Sequence, residues 1–109
     1  MSSFAKTATV ALTTTDLTTV VAAQGARSFI NIHNIILSNQ SATATFVDIL
    51  DGSTLLIREA SDPAGLGNNM KFDKPIRLSE NSPVKVQAND AVSTVNVTIV
   101  YDVEPSGNG

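Results

Sequence analysis

His33 is the only histidine in the chain, so any nucleophile of the Ser-His-Asp kind would have to draw its base from that position. It lies between Ile32 and Asn34 in a run rich in β-branched residues. A histidine in the middle of a strand is more often a hydrogen-bonded structural residue than a base. No serine stands in a Gly-x-Ser-x-Gly elbow. Paired carboxylates are the next chemistry to consider. Asp48 and Asp51 bracket a turn, while Asp16, Asp62, Asp73 and Asp90 fall in turn-like stretches. Aspartates gather in turns for their side-chain-to-backbone hydrogen bonds alone. A glycosidase-like pair needs one buried carboxyl of raised pKa in a cleft, and nothing marks such a residue. The reading is a non-enzymatic protein.

Metal and phosphate chemistry fare no better. Cysteine is absent, and one histidine removes the usual zinc clusters. No spaced Asp-x-Asp-x-Asn series offers a calcium loop. Gly65-Leu-Gly67 lacks the Gly-Lys-Ser/Thr that follows in a phosphate loop. No cofactor is expected.

The basic residues Lys6, Arg27, Arg58, Lys71, Lys74, Arg77 and Lys85 are scattered, and aromatics make up only 5% of the chain. With a formal net charge of −3, that makes nucleic acid and anionic membranes poor partners. No apolar run is long enough to span a bilayer, and no leader pattern opens the sequence. Lys71, Lys74 and Arg77 do gather in one region. The plainer reading is a solvated rim, the sharper one a contact with an acidic partner.

The elements that would carry these residues are strands. From Arg27 to Ala60 the chain reads as a long strand (28–38), a polar break, a return strand (43–50), Asp51-Gly52, and a further strand (53–58). Asp-Gly between alternating runs signals a hairpin whose central residues tolerate positive φ. Inside the long strand the phase changes: Ile30 and Ile32 share one parity, Ile35 and Leu37 the other. Either both faces are buried there, or the register is reset by a β-bulge near His33-Asn34 or by a bend where the strand crosses between sheets.

Ala8, Val10 and Leu12 alternate with threonines, and Leu17–Val21 reads as a second strand. Residues 60–70 form the longest irregular segment, since Pro63, Gly65 and Gly67 oppose a regular element. Its Leu66 and Met70 either tuck beneath the loop or face a partner. Pro75 opens a short strand through Leu78, and Val84–Gln87 and Val95–Tyr101 alternate as the last two strands. The domain layout is a flexible arm (1–7), one sandwich domain (8–103) and a disordered tail (104–109). Turn signals at this spacing predict an all-β antiparallel sandwich or barrel of about eight or nine strands.

Several short motifs in this order resemble a group of small tailed-phage virion proteins. They are Gly25-Ala-Arg27, Ile30-Asn-Ile-His-Asn-Ile-Ile-Leu-Ser-Asn39, Gln40-Ser-Ala42, Asp51-Gly52, Pro63-Ala-Gly65, Phe72-Asp-Lys-Pro-Ile-Arg-Leu78, Val84-Lys-Val-Gln-Ala88 and the alternating Val/Thr strand ending at Tyr101. The resemblance implies a jelly-roll-like β-sandwich and a capsid cement or decoration protein. Such a protein would sit on the outer surface of the phage head, bind the major capsid protein and bridge its subunits, with a homotrimer favoured. Some proteins of this style instead belong to head fibres or tail parts, which makes a carbohydrate- or host-surface-binding module the alternative. From exposure, the expected partner contacts are Phe4 and Lys6 in the arm, Pro63, Leu66 and Met70 in the loop, and Lys71 and Lys74 at its exit.

Overall fold

The computed structural model describes residues 5–40, 43–61, 67–89 and 94–105. Among them are eight strands and no helix: β1 (Lys6–Leu12), β2 (Thr18–Val21), β3 (Ser28–Asn39), β4 (Thr45–Asp51), β5 (Thr54–Ser61), β6 (Gly67–Arg77), β7 (Val84–Ala88) and β8 (Val95–Pro105). They form two four-stranded antiparallel sheets, in the orders β1-β8-β3-β6 and β2-β7-β4-β5. This is the double-sheet arrangement of a jelly roll, and the expected single antiparallel sandwich is what the chain adopts.

Period-2 patterning explains why. On β8, Val95, Val97 and Ile99 are fully buried; on β7, Val84 and Val86; on β4, Val47 and Ile49. The residues between them face outward, half-exposed or exposed. Branched side chains suit the pleat and pack from both sheets into one core with Ile30, Ile32, Ile35, Leu37 and Leu78. Each such side chain contributes about 1.5–3 kcal/mol when fully buried.

The phase change in β3 is a bulge, one of the outcomes its parity allowed. Against β8, Ile32 faces Tyr101 and Asn34 faces Val100, leaving His33 without an opposite residue. His33 and Asn34 both stay half-exposed, so Ile30, Ile32, Ile35 and Leu37 all reach the core. Against β6, Ile32 faces Ile76 and Asn34 faces Lys71, so residues 72–75 stand opposite the same single position. Pro75, which has no N–H to give a ladder, lies within that interruption rather than opening a strand.

Several expected bounds are corrected. Ala60 and Ser61 belong to β5 and Gly67–Met70 to β6, so the irregular stretch shrinks from both sides. β6 tolerates Gly67 because it is an edge strand with β3 to pair against. Lys6 and Thr7, assigned to the arm, pair with Tyr101 and Val100. Glu104 and Pro105, assigned to the tail, pair with Phe29 and Ser28. The hairpin turns on Gly52 and Ser53, flanked by the Asp51–Thr54 pair, and only Gly52 of these has positive φ (61°). Glycine first in a two-residue loop fits the type II′ pattern and frees Asp51 for another task.

The crossover from β2 to β3 is held by the β6–β7 loop. Asn81 Oδ1 accepts from the Gly25 N–H at 2.9 Å, and the Glu80 carboxylate accepts from the Arg27 N–H at 2.7 Å. Gly25, Arg27 and Asn81 all have positive φ. Side-chain bonds from Glu80 and Asn81 support a backbone path that is otherwise sparsely populated.

Candidate functional site

The bulge gathers the chain's chemistry-bearing side chains on the outer face of the β1-β8-β3-β6 sheet. His33 Nε2 lies 2.9 Å from Asp102 Oδ2, with the two side chains 34% and 21% exposed. Asn31 Nδ2 donates to Asp102 Oδ1 at 2.8 Å and to Glu104 Oε1 at 3.0 Å. Arg77 donates to Glu104 Oε2 at 3.2 Å and stacks over the Phe29 ring, its guanidinium carbon 3.9 Å from the centroid. Alternation explains the grouping: Phe29, Asn31 and His33 share the outer face of β3, Asp102 and Glu104 that of β8, and Arg77 ends β6 beside Asn31.

In residue type, His33 and Asp102 match the base and orienting carboxylate of a triad. No hydroxyl is hydrogen-bonded to His33 among the described residues; its partner is Asp102. The His33–Asp102 contact closes a run of side chains that ties the last part of β8 to β3 and β6. Among the described residues no group of three or more His, Asp or Glu side chains is placed to hold a metal ion.

A second polar cluster closes one end of the sandwich. The Asp51 carboxylate accepts from the Ser79 N–H at 2.9 Å, from Ser79 Oγ at 2.8 Å and from Ser82 Oγ. Burial pushes the Asp51 pKa up, and these three donors more than offset it, holding the carboxyl below its ordinary value. The neighbouring Gly52 N–H donates to the Pro83 carbonyl at 2.9 Å. A Cβ at Gly52 would sit 3.1 Å from Ser82 Oγ, so glycine serves both the turn and this close approach. Asp48, the other turn-flanking aspartate, takes two bonds from Arg58 across the β4–β5 pair, at 2.7 and 3.0 Å. That contact raises the Arg58 pKa, first through the hydrogen bond and then through charge.

The outer face of the β2-β7-β4-β5 sheet carries apolar side chains on either side of the Asp48–Arg58 pair. Leu50 faces Leu55 and Phe46 faces Ala60 across β4 and β5. Phe46 is 48% exposed and Leu55 50%. The exposure of Phe46 follows from its phase, since Val47 and Ile49 take the core positions. Leu55 is turned out by a bulge on β5, where Ile49 faces Ile57 but Leu50 faces Leu55. The alternation of β4 carried a signal for Phe46. Nothing in the sequence revealed the β5 bulge.

Of the expected contact residues, Phe4, Pro63 and Leu66 lie outside the described residues. Met70 faces Ile35 across the sheet and packs half-buried against the core, so it tucks in. Lys71 and Lys74 are exposed on β6, and neither forms an ion pair among the described residues. Lys6 is exposed at the start of β1. Because β1 and β6 are opposite edges of one sheet, Lys6 is not brought together with Met70, Lys71 and Lys74. Arg77, close to the lysines in sequence, is engaged by Glu104 and Phe29 instead.

No protein-family model matches this sequence, and no curated protein matches it.

Proposed function

We propose that this chain is a non-enzymatic phage capsid decoration protein that binds the outside of the head shell and bridges capsid subunits as a homo-oligomer. The observation that carries the reading is the strand order, β1-β8-β3-β6 over β2-β7-β4-β5, an architecture that recurs in viral capsid and lectin domains. This is an argument from fold, joined to the motif resemblance, and the fold hosts more than one function. In support, the polar clusters at Asp51 and Asp102 are engaged in holding strands together. Exposed Phe46 and Leu55, on either side of the Asp48–Arg58 pair, lie where a partner surface can reach them. Many copies making weak contacts across capsid joints would together resist internal pressure.

The test is the protein composition of purified particles. Stoichiometric copies of this chain, with matching density on the outer head surface, are the expected result, and particles free of it refute the reading. The trimer implied by the resemblance predicts a solution mass of three times 11.4 kDa. A second reading, a head-fibre or tail-associated module for carbohydrate, rests on the exposed Phe46, since sugars stack on exposed aromatics. A glycan-array signal abolished by Phe46→Ala would favour it.

A further inference from the structure

Four strands end the two sheets: β1 and β6 in one, β2 and β5 in the other. An unpaired strand edge is a template for another strand, and folded proteins normally blunt it. Three of these edges carry such devices. β6 has Lys71, Lys74, Pro75 and the interruption opposite His33. β5 is bulged near Leu56, and its Glu59 stands opposite fully buried Val47, on the core-facing side. β2 has only 4 residues and an irregular register.

β1 has almost none of this. It runs 7 residues in unbroken one-to-one register with β8, without proline, and its only charge is Lys6 at one end. Its core-facing Ala8 and Val10 are only half-buried, although their neighbours Ile99 and Val97 are fully buried. The outward residues Thr7, Thr9 and Ala11 are exposed, and Thr9 Oγ1 lies 3.0 Å from Thr98 Oγ1.

We infer that β1 is a pairing edge, and that its occupant is β1 of a second copy, joined antiparallel about a two-fold axis through Thr9. The sequence of β1 is self-complementary in this register. Full overlap with both core faces on the same side places Thr9 against Thr9, Thr7 against Ala11, Ala8 against Val10 and Lys6 against Leu12. No like charges meet, and the two Lys6 side chains lie at opposite ends of the seam, about 20 Å apart at 3.4 Å per residue. The pairing covers Ala8 and Val10, extends the Thr9–Thr98 pair into a four-threonine row, and fuses two four-stranded sheets into one of eight. Main-chain bonds supply affinity and the side-chain match supplies register. The contact is isologous, so it is distinct from any three-fold association and stands independently of the decoration reading.

The test uses the whole chain. Light scattering of the wild type should give an even-numbered assembly, twice 11.4 kDa for the two-fold contact alone and six times 11.4 kDa where a three-fold association also forms. Thr9→Lys opposes two like charges on the axis and should weaken association by about tenfold or more. Mixing Thr9→Lys with Thr9→Glu should restore a mixed dimer. Because the chain has no cysteine, Thr9→Cys should oxidise to a covalent dimer, whereas Thr14→Cys, exposed in the β1–β2 turn, should not. Thr9→Cys keeps the side chain small and decides the matter if Thr9→Lys fails to fold. A wild-type chain that stays monomeric up to about 1 mM, or an oligomer that Thr9→Lys leaves intact and Thr9→Cys does not cross-link, overturns the inference.

Discussion

The two halves of β3 are equal toward the core and unlike toward solvent. Before the bulge, Ile30 and Ile32 are buried to 1% and 0%; after it, Ile35 and Leu37 are both at 0%. Outside, the first half carries Asn31 and His33 among Asp102, Glu104 and Arg77. The second half carries Asn34, Ile36 and Ser38 beside Val100, Thr98 and Asn96, a surface without charge on β3 or β8. The core sets the same demand on both halves. One extra residue at the junction lets the outer face change character without disturbing it.

The largest effect should come from changing that residue count. Deleting His33 leaves strict alternation, with Ile32 and Ile35 still inward, so the chain should keep cooperative melting and its far-ultraviolet circular dichroism. Deleting Asn31 instead turns one half of β3 inside out and should abolish folding. A foldable Asn31 deletion, or an unfolded His33 deletion, would show that the bulge does not set the register. Next, Ile32→Ala and Ile35→Ala should each cost about 2–5 kcal/mol in urea unfolding. Values that agree within about 1 kcal/mol would establish the equality of the two halves.

Carboxylates sharpen the contrast on the outer side. Asp51→Ala removes an acceptor from one N–H and two hydroxyls and should cost about 2–3 kcal/mol, with little dependence on salt. Because the folded-state pKa of Asp51 is depressed, its stabilisation is complete above the ordinary carboxylate range. It should fade as pH falls through that range toward the lower folded value. Asp51→Asn should flatten this acid slope; an unchanged slope would place the acid sensitivity elsewhere. Asp102→Asn, among half-exposed charged partners, should cost at most about 1 kcal/mol, a loss that shrinks in high salt. Smallest of all, Thr9→Val on β1, beside Thr98 and the uncharged half of β3, should leave monomer stability within about 0.5 kcal/mol. A larger loss would make the hydroxyl row structural.

A break in the register was legible because Ile32 and Ile35 differ in parity, but parity alone left a bend or a strand buried on both faces open; the single core that takes both residues makes it a bulge. The alternating runs likewise predicted most strand centres. The hairpin position was not legible: Asp51-Gly52 reads as a turn pair, yet Asp51 is drawn into pairing with Thr54 and bonding with Ser79 and Ser82, which lie 28 and 31 residues away. The partners of His33 were hidden for the same reason, since Asp102 is 69 residues distant. Period-2 patterning says which face a residue takes, and only the strand order says what stands next to it there.

That strand order also constrains when the protein can form. β8 lies between β1 and β3, so the first strand of the sheet has nothing to pair with until the last is present, as the Lys6–Tyr101 match makes plain. During synthesis, β1 through β7 leave the ribosome with Leu12, Ile30, Ile32, Ile35 and Leu37 uncovered by β8. Until Val95, Val97 and Ile99 emerge, the nascent chain lacks one of the two central strands of that sheet. Completion of this sheet therefore waits for β8, and the interval before it emerges is when the growing polypeptide most needs a chaperone.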